Sequence, residues 1–129
     1  MKVFPLHPPR VFEVGFGRTI VMHDCGRVHL EPDEQVTFVA PSGAEYDVAR
    51  KDWGFYATPS MNGRLAGFGW RSLLVKNRLG RFFVLLAEIG KEAELDAYLK
   101  EEQLRVVARF DDEADLARLE AAFSEQEPF

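Results

Sequence analysis

Short runs of alternating or continuous apolar residues, separated by glycine and proline, fill the first half of the chain and read as β-strands. Residues 11–16 form one run. After Gly17, residues 19–25 form the next. Gly26 marks a turn, and a short third run follows at 27–31. Pro32 and Asp33 predict a turn before a fourth strand over 35–40. The loop Pro41-Ser42-Gly43-Ala44 is rich in turn formers, so 45–49 should return as a hairpin partner. Residues 50–65 fit neither a strand nor a helix period. Beyond them, 67–75 and 81–88 predict a second hairpin about the turn Asn77-Arg78-Leu79-Gly80. The unbroken apolar run at 82–87 predicts a central strand, buried on both faces and paired on both sides.

The pattern then changes period. Leu95, Tyr98 and Leu99 share one side of a predicted helix over 91–102, with Glu92, Glu94, Asp96 and Lys100 elsewhere. Residues 104–110 alternate again. Leu104, Val106, Ala108 and Phe110 face one way, Arg105 and Arg109 the other. Asp111 or Asp112 can cap a last helix, over 112–124, whose apolar stripe is Leu116, Leu119 and Phe123. The tail from Glu125 is expected to fray. The unit from Phe82 through the first helix to Phe110 is long enough for a crossover between parallel strands. Strands first and β-α-β-α afterwards give an α+β fold. Its mostly antiparallel sheet or partial barrel carries two C-terminal helices packed on it.

Size sets further expectations. A chain of 129 residues reads as one domain, 1–129. Such a domain should bury roughly two-thirds of its unfolded surface, enough for a core without staples. The single cysteine, Cys25, cannot pair within the chain, so a reducing, cytoplasmic location is expected. In residues 1–9, Pro5, Pro8 and Pro9 break any apolar targeting run. No apolar run reaches the length of a membrane span. The net charge of −5 argues against general nucleic-acid binding, which needs broad phosphate neutralisation.

Charge is unevenly spread, and this singles out one segment. Residues 50–82 hold seven Lys and Arg against a single acid, Asp52, and contain both tryptophans. At the head of that window, Arg50 and Arg64 can each grip a carboxylate or phosphate with forked donors. Trp53 and Tyr56 offer flat faces for a sugar ring or base. Asn62 can hydrogen-bond hydroxyls, and Lys76 adds a cation alongside Arg71 and Asn77. Pro59-Ser60 and Asn62-Gly63 would hold the loop in one shape. The ligand-binding set is therefore Arg50, Trp53, Tyr56, Asn62, Arg64 and Lys76. The competing structural reading makes Trp53, Phe55 and Tyr56 core residues and pairs the arginines with acidic helices.

Other constellations carry less. His23, Cys25 and His29, with His7 as a fourth ligand, are poorly spaced for zinc, and no Cys-x-x-Cys or His-Glu-x-x-His motif exists. The bland alternative is a buried free thiol with surface histidines, so no metal and no cofactor is expected. Cys25 as a nucleophile beside His23 or His29 lacks an oxyanion hole. Glu31, Asp33 and Glu34 look like a solvated turn, and Gly15-x-Gly17 is not a phosphate fingerprint.

Three stretches carry a resemblance. They are Asp24-Cys25-Gly26 with 30–38, then Glu45-Tyr46-Asp47-Val48, and above all 50–60 with Asn62-Gly63-Arg64-Leu65. Together with Leu74-Val75-Lys76-Asn77 they resemble a group of small, uncharacterised bacterial proteins encoded among genes for O-antigen, capsule and other surface-glycan synthesis. The resemblance spans residues 24–99. It implies a context and no activity, and it carries over no catalytic residue.

Three functions follow as expectations. The first is a cytoplasmic accessory or binding module that recognises an anionic sugar, nucleotide-sugar or sugar-phosphate. The second is an isomerase- or epimerase-type enzyme on an activated sugar, with His23, His29 or Asp52 as base. The third is an interaction module whose basic aromatic patch docks a partner enzyme or a second copy in a homodimer. An ordered acid or base in a pocket beside Arg64 would favour the second, and a flat patch the third.

Overall fold

Alternation drives every sheet of the computed structural model into antiparallel pairs; the structure describes residues 1–124. The fraying expected from Glu125 lies outside the described residues. Among them run β1 (Lys2–Val14), β2 (Ile20–His29), β3 (Gln35–Val39), β4 (Glu45–Lys51), β5 (Gly54–Ala57), α1 (Arg64–Gly67), β6 (Trp70–Lys76), β7 (Phe82–Glu88), α2 (Glu92–Glu101), β8 (Arg105–Arg109) and α3 (Glu113–Phe123). They form three open sheets, ordered β1-β2, β3-β4-β5 and β7-β6-β8. The fold is α+β, with open antiparallel sheets in place of a closed barrel. No helix among the described residues is long and apolar enough to cross a membrane.

The N-terminal strands differ from expectation. The short runs at 11–16, 19–25 and 27–31 merge into two long strands that pair as a ribbon, and Gly26 stays inside β2 opposite Pro5. The ladder slips between Pro5 and Arg10, where Pro8 and Pro9 fall. In a two-stranded sheet each strand has a free edge, so a proline lacking its N–H costs no ladder bond there. The strands at 35–40 and 45–49 form as expected and pair as β3 and β4, Gln35 facing Ala49 and Val39 facing Glu45.

The second hairpin also forms, but its order corrects the expectation for 82–87. β6 is the central strand, hydrogen-bonded to β7 on one side and β8 on the other. Among the described residues β7 pairs with β6 alone and is an edge, with Phe82, Phe83 and Val84 exposed. An apolar run reports which side chains a strand carries, not the strand's place in the sheet order. The core instead follows β6. Ser72, Leu73 and Val75 are buried there, with Leu65, Ala49 and Ala108 around them. Between the β3-β4-β5 sheet and this one, the Trp70 indole N–H donates to the Glu45 carbonyl at 3.0 Å.

Both C-terminal helices form close to their expected bounds, and β8 alternates as expected, with Ala108 buried and Arg105 and Arg109 exposed. Asp112 caps α3 by accepting the Asp115 backbone N–H at 2.9 Å. Neither helix contains a buried residue. The chain accordingly exposes 9684 Å², so it buries about half of its extended-chain surface and not the two-thirds expected.

One consequence concerns acid. The backbone N–H of Arg109 donates to Asp115, and Arg118 lies beside it; together they hold its carboxyl below the usual aspartate range. A depressed carboxylate stabilises the fold above its unfolded value, about pH 4, and that contribution is lost as pH falls through the folded value. Melting curves taken from pH 7 down to pH 2 should therefore show a steeper acid loss in the wild type than in Asp115→Asn. Parallel curves would refute the coupling.

Candidate functional site

The segment at 50–65 is built as a hairpin followed by a braced turn. β4 runs on to Lys51, Asp52 and Trp53 make the turn, and β5 returns with Arg50 facing Phe55 and Ala49 facing Tyr56. The hairpin was hidden from periodicity because Arg50 and Lys51 are both polar and Gly54 follows. Gly54 sits at φ 147°, where an L side chain is strained. Past Ala57, Ser60 organises the loop. Its carbonyl accepts from Leu65 N at 3.0 Å, and its hydroxyl accepts from Arg64 N at 3.0 Å. Buried Asp47 ties the loop back: Thr37 donates to it at 2.7 Å, and its carbonyl accepts Thr58 N at 3.1 Å.

Strand alternation sorts the six expected residues. Trp53 and Tyr56 come together, their rings stacked at 6.0 Å with an interplanar angle of 27°. Trp53 is 72% exposed and Tyr56 44%, so neither is a core residue, and Phe55 is exposed as well. Arg50 lies on the opposite face of the hairpin, where its guanidinium covers the Phe55 ring at 5.9 Å. Asn62 donates to Glu113 at 2.9 Å, joining the loop to the start of α3. Arg64 is exposed and lies over the Phe68 ring at 5.4 Å. Lys76 covers its cross-strand neighbour Phe82 at 5.3 Å, at the far end of β6 from Trp70. Arg71 pairs with Asp111 at 3.5 Å and with Glu92 of α2 at 3.7 Å, whereas Arg50 and Arg64 pair with no acid among the described residues, so the structural reading holds for Arg71 alone. Asn77 holds its own turn by accepting from Leu79 N and Arg81 N.

A cation that sequence reasoning passed over belongs with the aromatic pair. Lys51 is two positions from Ala49 and therefore on the Tyr56 face. Asp33 accepts its ammonium, and that charge, with a smaller pull from Tyr56 and Asp52, raises its pKa above the ordinary lysine value. Recognition of the two-residue turn would have revealed it.

Next to this platform, Tyr46, Tyr56, Thr58, Ser60, Leu65, Ser72, Val84 and Leu86 help line a cleft of about 390 Å³. Its walls present hydroxyls and apolar groups. Of the six expected residues Tyr56 reaches it, and no carboxylate or imidazole does.

The histidines lie elsewhere, on the ribbon. His29 meets the Phe4 ring edge-on at 4.8 Å. Cys25 is exposed, not buried as the bland reading had it, and its thiol points to the His23 carbonyl. No group of three or more metal-ligating side chains gathers among the described residues. No protein-family model, curated protein or solved structure matches the chain.

Proposed function

We propose that the chain is a cytoplasmic binding module for surface-glycan synthesis. It takes an anionic sugar, nucleotide-sugar or sugar-phosphate at the tip of the β4–β5 hairpin. The observation that supports this reading is the stacked, solvent-facing Trp53–Tyr56 pair with Lys51 on the same face. A flat aromatic surface suits the apolar face of a sugar ring or base, and an adjacent ammonium suits its negative group. The glycan context rests on the resemblance of residues 24–99.

The rival enzyme reading lacks comparable support. His23 and His29 stand on a different sheet, Asp52 lies in the exposed β4–β5 turn beside Trp53 and does not line the cleft, and the cleft beside Leu65 offers hydroxyls without an acid or base. Arg64 is a further cation of the segment, exposed and free of any acidic partner among the described residues.

The test is a thermal-shift screen against nucleotide-sugars and sugar phosphates, followed by titration of the hit. A ligand at a hundred times its dissociation constant adds about 2.7 kcal/mol of apparent stability. Trp53→Ala should weaken binding by about 0.5–1.5 kcal/mol beyond lost area, roughly two- to twelvefold, while stability without ligand changes by less than about 0.5 kcal/mol. Lys51→Ala should cost binding of the charged ligand and spare that of its uncharged parent sugar. If no such ligand shifts the wild type, or Trp53→Ala binds as well as wild type, the platform is not a ring-binding site.

A further inference from the structure

The free outer edge of β7 and the β1–β2 ribbon are two exposed surfaces that the chain leaves bare. β7 carries the uncharged run 82–87, and Phe82, Phe83 and Val84 are each at least 50% exposed. Its outer backbone groups have no strand beside them among the described residues. Natural edge strands are protected by charge, proline or a bulge, and this run has none of these. The ribbon is also bare. Val3, Phe4, Val11, Val21, Met22 and Val28 are exposed along both of its strands. A two-stranded hairpin alone in water is marginally stable at best.

The two surfaces meet. Gly15 and Phe16 at the ribbon tip and Phe83, Val84 and Leu85 of β7 line one cleft of about 420 Å³, together with Tyr98 of α2. Area decides what must cover them. A folded monomer of 14.7 kDa exposes about 6,900 Å². The chain exceeds that by about 2,700 Å², of which five residues the size of 125–129 could supply at most about 900 Å². Roughly 1,800 Å² per chain remains, or about 3,600 Å² for a pair, within the range of obligate dimers.

We propose that a second copy of this chain covers this continuous surface. Each copy carries both complementary halves: an apolar strand edge that needs a partner strand, and an apolar ribbon with free edges. Reciprocal exchange, ribbon of one copy against β7 of the other, closes a two-fold pair with no half left over. This surface borders the cleft beside the Trp53–Tyr56 platform, because Val84 of β7 and Tyr56 both line that cleft, and its test reads mass and does not depend on any ligand.

Light scattering on the purified chain at tens of micromolar should give twice the 14.7 kDa chain mass. Val84→Lys on β7 and Val21→Lys on the ribbon should each halve the mass, because each sets a charge into the covered surface. Val39→Lys, at an equally exposed position on β3 outside it, should leave the dimer intact. Circular dichroism confirms that each variant is folded. Should Val84→Lys fail to fold, hydrogen exchange on the wild type decides instead: the outward amides of β7 should be protected, and dilution should release them. A wild-type mass of one chain, a larger multiple than two, disruption by Val39→Lys alone, or open-chain exchange along β7 would each overturn the proposal.

Discussion

Leu65→Ala should cost about 2–5 kcal/mol, the range for truncating a buried leucine, and lower the melting temperature by roughly 10 °C. Leu65 is 1% exposed in a chain with few buried apolar side chains. It sits on the single turn α1, which packs on β6. That turn is too short to persist alone, since nucleation of a helix is unfavourable. Leu65 therefore anchors the whole loop after β5 to the central sheet, and its loss opens a cavity where three segments meet. Its neighbour gives the control. Arg64→Ala removes an exposed side chain and should stay within about 0.5 kcal/mol of wild type. Urea titration of both variants tests the pair. A collapse of Arg64→Ala, or a neutral Leu65→Ala, would mean that the segment is held by its charges and not by its most deeply buried side chain.

The same contrast shows what periodicity can and cannot report. The hairpins β3–β4 and β6–β7 were legible because turn formers separate runs of matching length. The helices were legible from their apolar spacing and from Asp112 as the cap. The ribbon was not, because no strand was read before residue 11, where Pro5, Pro8 and Pro9 interrupt the apolar pattern. They break a strand only where a ladder bond is at stake, and beside a register slip none is. The edge position of β7 was illegible for a deeper reason. Composition encodes which side chains a strand carries, and the apolar run 82–87 reads the same at the edge of a sheet as at its centre. The aromatic pair Trp53 and Tyr56 could be picked out by type. Its partners could not, because whether Arg50 or Lys51 shares its face depends on the turn at Asp52-Trp53, and a one-residue change of register exchanges the two faces.

Gly17→Ala should unfasten the ribbon tip from the rest of the chain. The end of α2 approaches so closely that a Cβ on residue 17 would lie 2.1 Å from the Glu101 carbonyl oxygen, and backbone cannot yield as a flexible side chain does. This close approach is the work of Gly15-x-Gly17, which binds no phosphate helix. It lets the buried carboxylate of Glu102 accept the backbone N–H of Phe16 and that of Gly17, the latter at 3.1 Å. Arg78 adds its guanidinium over the Phe16 ring at 3.7 Å. Hydrogen bonds to a charged group contribute about 1.5–3 kcal/mol. Losing them should raise amide exchange at residues 16 and 17 by about tenfold to a hundredfold. The melting temperature should fall far less than in Leu65→Ala, because the opening is local. Glu102→Ala should reproduce the effect with no steric clash. Glu102→Gln keeps a carbonyl acceptor and should fall between it and wild type, while Glu101→Gln, at an exposed side chain, should do nothing. If Glu102→Ala exchanges like wild type at both amides, the carboxylate is not what holds the ribbon. If it melts as low as Leu65→Ala, the ribbon is part of one cooperative unit and not an arm fastened at its tip.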